Sequence, residues 1–150
     1  MKNIKSRDLE VAYHGVTWEK AFGYAQAVKV KDTIYISGQL SHDSDGNLVA
    51  PADIDEFGKP VSFRAMEAQI TQTYENARLL LKRFGASFDD IVEETLFVLD
   101  VDTAFPAAAR VRKKVYGSET PQLASNLIGV SRLAFPHQLV EVTFRAVVDR

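Results

Sequence analysis

The chain contains no cysteine, which removes disulfides, thiolate nucleophiles and cysteine-ligated zinc together. It also lacks any run near the ~20 consecutive apolar residues that a membrane helix needs. The amino terminus, MKNIKSRDLEVAYH, has no apolar core behind its basic residues and does not read as a secretory signal. Excess positive charge is missing as well: 18 Lys+Arg stand against 20 Asp+Glu, for a net charge of −2, so no global basic field draws phosphate backbones. His14, His42 and His137 stand at none of the metal-binding spacings, so surface or capping roles are expected of them, with no metal and no organic cofactor. Neither a G-x-S-x-G elbow nor a glycine-rich phosphate loop occurs. These absences point to a cytoplasmic globular protein that is neither membrane-bound nor nucleic-acid-binding.

What is present is a chain of 150 residues, 46% hydrophobic and 25% charged, the size and balance of one domain over residues 1–150. Residues 1–20 mix charge with Val11, Tyr13, Val16 and Trp18 without periodicity, and read as an amino-terminal arm or edge strand. The strongest local signal follows: β-branched and aromatic residues on both sides of Lys31-Asp32 predict a hairpin of 25–30 with 33–37. Residues 41–61 are rich in Asp, Gly, Pro and Ser and predict a long loop turning at Asp45-Gly46-Asn47. From Phe63 to Phe84 apolar residues recur at steps of three and four, predicting a helix capped by Ser62 and ended by Gly85. A strand over 91–100 comes next. A second helix follows, capped by Asp102 or Thr103, with Pro106 in its first turn and Phe105, Ala108, Val111 and Val115 on one side. Strands over 127–133 and 139–148 complete the chain.

The order ββ-α-β-α-ββ predicts an α+β fold, one mixed sheet with both helices on a single face. The middle strand is apolar on both sides, Leu96 and Val98 against Phe97 and Leu99, while the helices can cover one side only. The other face is expected to be covered by further copies of the chain, in a homo-oligomer.

Among residues with chemistry to offer, Glu141 stands between Val140 and Val142 on a strand, where desolvation disfavours its ionised form and suits it to general acid or base work. A carboxylate salt-bridged or solvated at a subunit boundary gives the same pattern. Arg110, Arg112, Lys113 and Lys114 form a basic helix face, read as solvated surface.

Taken together, Gly23-Tyr24-Ala25-Gln26, Ile36-Ser37-Gly38-Gln39, the helix with Gln69, Asn76 and Gly85, Asp90-Ile91-Val92, Phe97-Val98-Leu99-Asp100, Pro121 and Val140-Glu141-Val142 resemble the Rid (YjgF) family of reactive-intermediate deaminases. The resemblance implies a chorismate-mutase-like fold, a homotrimer, and clefts between subunits that bind a small molecule. It further implies hydrolysis of enamines and imines released by pyridoxal-phosphate enzymes, without a cofactor. In this sequence the family's acidic residue falls on Glu141, its aromatic wall on Tyr24, and its backbone contacts on Gly38 and near Leu127.

The chain departs from that pattern at the carboxylate anchor. Val130-Ser131-Arg132-Leu133 fixes the register, and the position of the family's anchoring arginine holds Ser125. Losing a planar cationic fork costs about 2–5 kcal/mol of carboxylate binding, so 2-aminoacrylate is not the expected substrate. Three readings follow: Arg132 or Arg145 restores an anionic site; the cleft hydrolyses an altered imine or enamine with Glu141 activating water; or the protein binds a small molecule without catalysis. The altered-substrate hydrolase ranks first. An endoribonuclease role ranks last, for want of a histidine pair and a basic–aromatic stripe.

Overall fold

The computed structural model describes residues 9–149; the first eight residues of the expected arm lie outside them. Six strands form one mixed sheet: β1 (Leu9–Ala12), β2 (Ala27–Val30), β3 (Thr33–Gln39), β4 (Ile91–Val98), β5 (Ala124–Gly129) and β6 (Val140–Val147), in spatial order β1-β2-β3-β6-β4-β5. β4 and β5 are parallel; every other neighbouring pair is antiparallel. Three helices join them, α1 (Thr17–Phe22), α2 (Met66–Arg83) and α3 (Val101–Tyr116). The expected α+β fold is therefore present. The amino-terminal segment contributes an edge strand, as one of its two readings held, and also the short helix α1.

The long helices bury one face of the sheet. Ile34, Ile36, Leu96, Val98, Val140, Val142, Phe144 and Ala146 meet Met66, Ile70, Tyr74, Ala77, Leu80 and Leu81 of α2 and Ala104, Ala107, Ala108 and Val111 of α3 in one core. Alternate residues of the same strands, among them Tyr35, Thr95, Phe97, Glu141, Thr143 and Arg145, point to the opposite face. Leu99, expected on that face with Phe97, is not there, because β4 ends at Val98; Leu99 packs against the core instead. The open face is accordingly more polar than the alternation of apolar residues implied.

Several boundaries differ from expectation for local reasons. The hairpin turns at Lys31 with φ 54, a lysine in the backbone region that Asn or Gly usually fills. Ser62 Oγ accepts from Arg64 N in a turn, and α2 starts later, at Met66. Gly85 ends it at φ 68, as predicted. α3 is capped by Asp100, whose carboxylate accepts from Thr103 N at 3.0 Å and Thr103 Oγ1 at 2.5 Å. Pro106 thus sits in the second turn, on the exposed side where a freed carbonyl meets water. Phe105 is 68% exposed and lies outside the buried stripe, which is Ala104, Ala107, Ala108 and Val111. β5 is shifted to 124–129, because its parallel register with β4 pairs Glu93 with Ala124 and Val98 with Gly129, leaving Ser131–Leu133 beyond β4.

Candidate active site

The open face carries its most distinctive contact where β3 meets β6. The register between these strands shifts between Ile36 and Gln39, and such a bulge re-aims side chains. Gln39 holds it, donating to Ser37 O at 2.8 Å and to Gln26 Oε1 at 2.9 Å. Ser37 Oγ in turn donates to Ala25 O at 2.8 Å. Gly38 then lies directly against Glu141: a Cβ at residue 38 would stand 2.6 Å from both Cδ and Oε2 of that carboxyl. Only glycine lets the carboxyl occupy this position.

Burial pushes the Glu141 carboxyl above its ordinary 4.5, opposed in part by hydrogen bonding from Gln138. The phenol of Tyr24 is likewise pushed up by burial, eased by Gln26, with the carboxylates of Glu19 and Glu141 adding to the rise. Tyr24 thus shares the electrostatic surroundings of Glu141. It also lines a cleft of about 850 Å³ with Tyr13, Val16, Glu19 and Gly23. Glu19 secures that segment, accepting from His14 N at 2.7 Å and Gly15 N at 3.1 Å. Glu141, Gly38 and Tyr24 are therefore brought to one region by β6, β3 and the loop leading into β2.

Ser125 and Leu127 are placed elsewhere. They pair with Glu94 and Leu96 of β4, on the helix-covered side, whereas Glu141 pairs with Phe97 on the open side. Two strand spacings and three residues separate Ser125 from Glu141, roughly 14 Å along the sheet. One chain alone does not unite them.

Around Ser125 lies a polar cluster that sequence patterning missed. Glu94 is fully buried and accepts from four donors: Tyr74 OH at 2.6 Å, Tyr116 OH at 3.2 Å, Arg112 Nε at 2.5 Å and Ser125 Oγ at 3.0 Å. Arg112 also donates to Ser125 Oγ at 3.2 Å. Burial, then the Glu94 charge, drives both phenols well above their ordinary range. Arg112 is thus not the solvated surface cation expected of the basic helix face. A signal existed: Glu94 interrupts an apolar strand whose neighbours on that face are Leu96 and Val98.

The other arginines named as substitutes for the anchor also have definite places. Arg145 lies on the open face, its guanidinium 5.3 Å from the centroid of the Tyr35 ring and 3.9 Å from Glu93. Arg132 lines a separate cleft with Lys59 and Phe135. His14 and His42, expected on the surface or at caps, instead pack edge to face with centroids 5.0 Å apart, and His42 is buried against Trp18. Among the described residues no group of three or more His, Asp or Glu is arranged to hold a metal ion, and no helix is long and apolar enough to cross a membrane.

Comparison with known proteins identifies relatives in sequence and in fold. The chain is 31% identical over 121 residues, 80% of this chain and 82% of the other, to a RutC family protein of Saccharolobus solfataricus. It is 32% identical over 102 residues, 68% and 65% of the two chains, to the 2-iminobutanoate/2-iminopropanoate deaminase of Capra hircus. The fold matches a Mycobacterium tuberculosis member of the YjgF/YER057c/UK114 family with a TM-score of 0.70 at 21% identity, over 93% of this chain and 99% of that one. Yeast Mmf1 matches with a TM-score of 0.71 at 21% identity, over 94% and 99%. With the family model described as Endoribonuclease L-PSP matching residues 17–148, the chain belongs to the family of YjgF/Rid proteins.

Proposed function

We propose that the protein hydrolyses a small imine or enamine to a carbonyl compound and ammonia, at a cleft formed between copies of the chain in a homotrimer. The single observation that carries this reading is the Glu141 carboxyl, raised by burial and seated against Gly38 at the β3 bulge. A carboxyl poised nearer neutrality can take a proton and return it. In the proposed reaction Glu141 accepts a proton as water adds to the iminium carbon, giving a carbinolamine. It then returns the proton to the nitrogen, the C–N bond breaks, and the carbonyl forms as Glu141 takes the hydroxyl proton and passes it to the departing ammonia, which leaves as ammonium. An enamine enters the same course after protonation at carbon. Relatives named 2-iminobutanoate/2-iminopropanoate deaminase support the reaction class.

Ser125 and Leu127 sit on edge strand β5, and in the proposed assembly they meet Glu141 and Tyr24 of a neighbouring copy. Ser125 is not without a cation: the Arg112 guanidinium reaches its Oγ from α3. We assign to Arg112, rather than Arg132 or Arg145, the anion-facing role at this position. Its charge is shared with Glu94, so the anchor is weaker than a free fork. Substrates with a smaller demand for carboxylate recognition fit such a site.

The test supplies imines from an amino-acid oxidase, alongside a neutral imine, and follows their loss with wild type, Glu141→Gln and Arg112→Gln. Glu141→Gln is expected to lower kcat about 100-fold or more. Arg112→Gln is expected to raise KM for carboxylate-bearing imines by a larger factor than KM for the neutral imine. Wild-type protein without activity on either imine would overturn the reading.

A further inference from the structure

A second cleft, of about 550 Å³, opens between the loop before α2 and the loop joining β5 to β6. Its volume is in the range that holds small organic molecules. Phe57, Phe63, Leu99 and Phe135 supply apolar wall, and its two charged lining residues are Lys59 and Arg132. No acidic residue lines it. Among the described residues neither cation has a carboxylate within salt-bridge reach, whereas Arg64, Arg78, Arg110, Arg112, Lys113 and Arg145 all do. Among the described residues Arg132 makes only a long bond, 3.4 Å, from Nε to Leu133 O, and its terminal nitrogens have no partner there.

Both walls are built in advance. The Asp55 carboxylate accepts from Phe57 N at 2.8 Å and Lys59 N at 2.9 Å, and Ile54 bridges Pro60, so the turn that presents Phe57 is fixed. On the opposite side His137 and Ala52 exchange bonds of 2.9 and 3.0 Å, and Gln138 N donates to Phe135 O at 3.0 Å. Phe57 is nevertheless 78% exposed. A rigid turn that holds a phenyl ring in water beside two uncompensated cations is arranged for a partner with an apolar body and a negative end.

We propose that this cleft binds a small organic carboxylate with an aryl or branched alkyl body. Arg132 takes the carboxylate as a planar fork, Lys59 adds a point charge, and Phe57 closes over the apolar part. The net charge of −2 argues against a nucleic acid as the occupant. This site is separate from Glu141 and stands whether or not the hydrolytic reading does.

The experiment uses 8-anilinonaphthalene-1-sulfonate, an aromatic body with one anionic group, as a fluorescent probe, and displaces it with 4-phenylbutanoate or its neutral amide. The carboxylate is expected to displace the probe and the amide to do so at least tenfold more weakly. Arg132→Gln should weaken probe binding about tenfold and Lys59→Gln about threefold, with circular dichroism unchanged. Phe57→Ser should weaken it while keeping both charges. Glu141→Gln should bind the probe as wild type does. Probe binding unaffected by Arg132→Gln and Lys59→Gln, equal displacement by the amide, or loss of binding in Glu141→Gln would overturn the proposal.

Discussion

A glutamate pressed against a glycine is the most constrained contact on the open face. Gly38→Ala places a methyl group 2.6 Å from the Glu141 carboxyl, so the carboxyl must move. We expect a stability cost of about 1–3 kcal/mol by chemical denaturation, as for other overpacked sites, and a larger relative loss of imine hydrolysis than of stability. Glu141 also sets a pH dependence. Burial raises its folded-state pKa above 4.5, so between these values the unfolded chain has released a proton that the folded chain retains, and stability falls as pH rises through that window. Glu141→Gln removes the penalty: its melting temperature should exceed that of wild type at pH 7.5 and match it at pH 4. His14 works in the opposite sense. Burial lowers its pKa below 6.5, with Gln39 and Glu19 opposing and His42 and Arg83 reinforcing. Its contribution is fully present above 6.5 and is lost as pH falls below it; His14→Gln should flatten the stability profile between pH 6.5 and 5.

At the scale of elements, the Glu94 cluster ties β4, β5, α2 and α3 together through one carboxylate. Arg112→Met leaves that buried charge without its cation, and we expect a loss of about 3–5 kcal/mol in urea unfolding. Adding Glu94→Gln should recover much of this, because a neutral amide needs no counter-charge; failure to recover would mean that Arg112 acts through packing alone. The cluster also shows what patterning misses. Arg112 looked like one member of a basic surface because Arg110, Lys113 and Lys114 surround it, and only the packing of α3 against the sheet brings it to Glu94 and Ser125. The extent of β5 was hidden for a similar reason: residues 127–133 read as one strand in sequence, but a parallel strand extends only as far as β4 offers partners.

For the whole molecule, the helices leave one sheet face bare, with Tyr35 47% and Ile128 45% exposed beside Phe97 and Val28. In an isolated chain Ile128→Asp is a surface change worth no more than about 0.5 kcal/mol. If copies pack on this face, the same substitution should convert a trimer to monomers in analytical ultracentrifugation while preserving secondary structure. A wild-type monomer at micromolar concentration would contradict both the assembly and the shared cleft.

Much was determined by the chain's residues in order. Periodicity at steps of three and four marked α2, alternation around Lys31-Asp32 marked the hairpin, and flanking valines marked Glu141 as a desolvated carboxyl. These signals are local, and local spacing carries them. The tertiary structure alone decided three further matters. It set Gly38 against Glu141 across two strands distant in sequence. It put Ser125 on the opposite face from Glu141, because residues 125 and 141 occupy ladders of opposite facing. And it brought Arg112 from α3 to Ser125. Each depends on strand register and on how the helices pack on the sheet, which follow from the whole core and not from any single stretch of sequence.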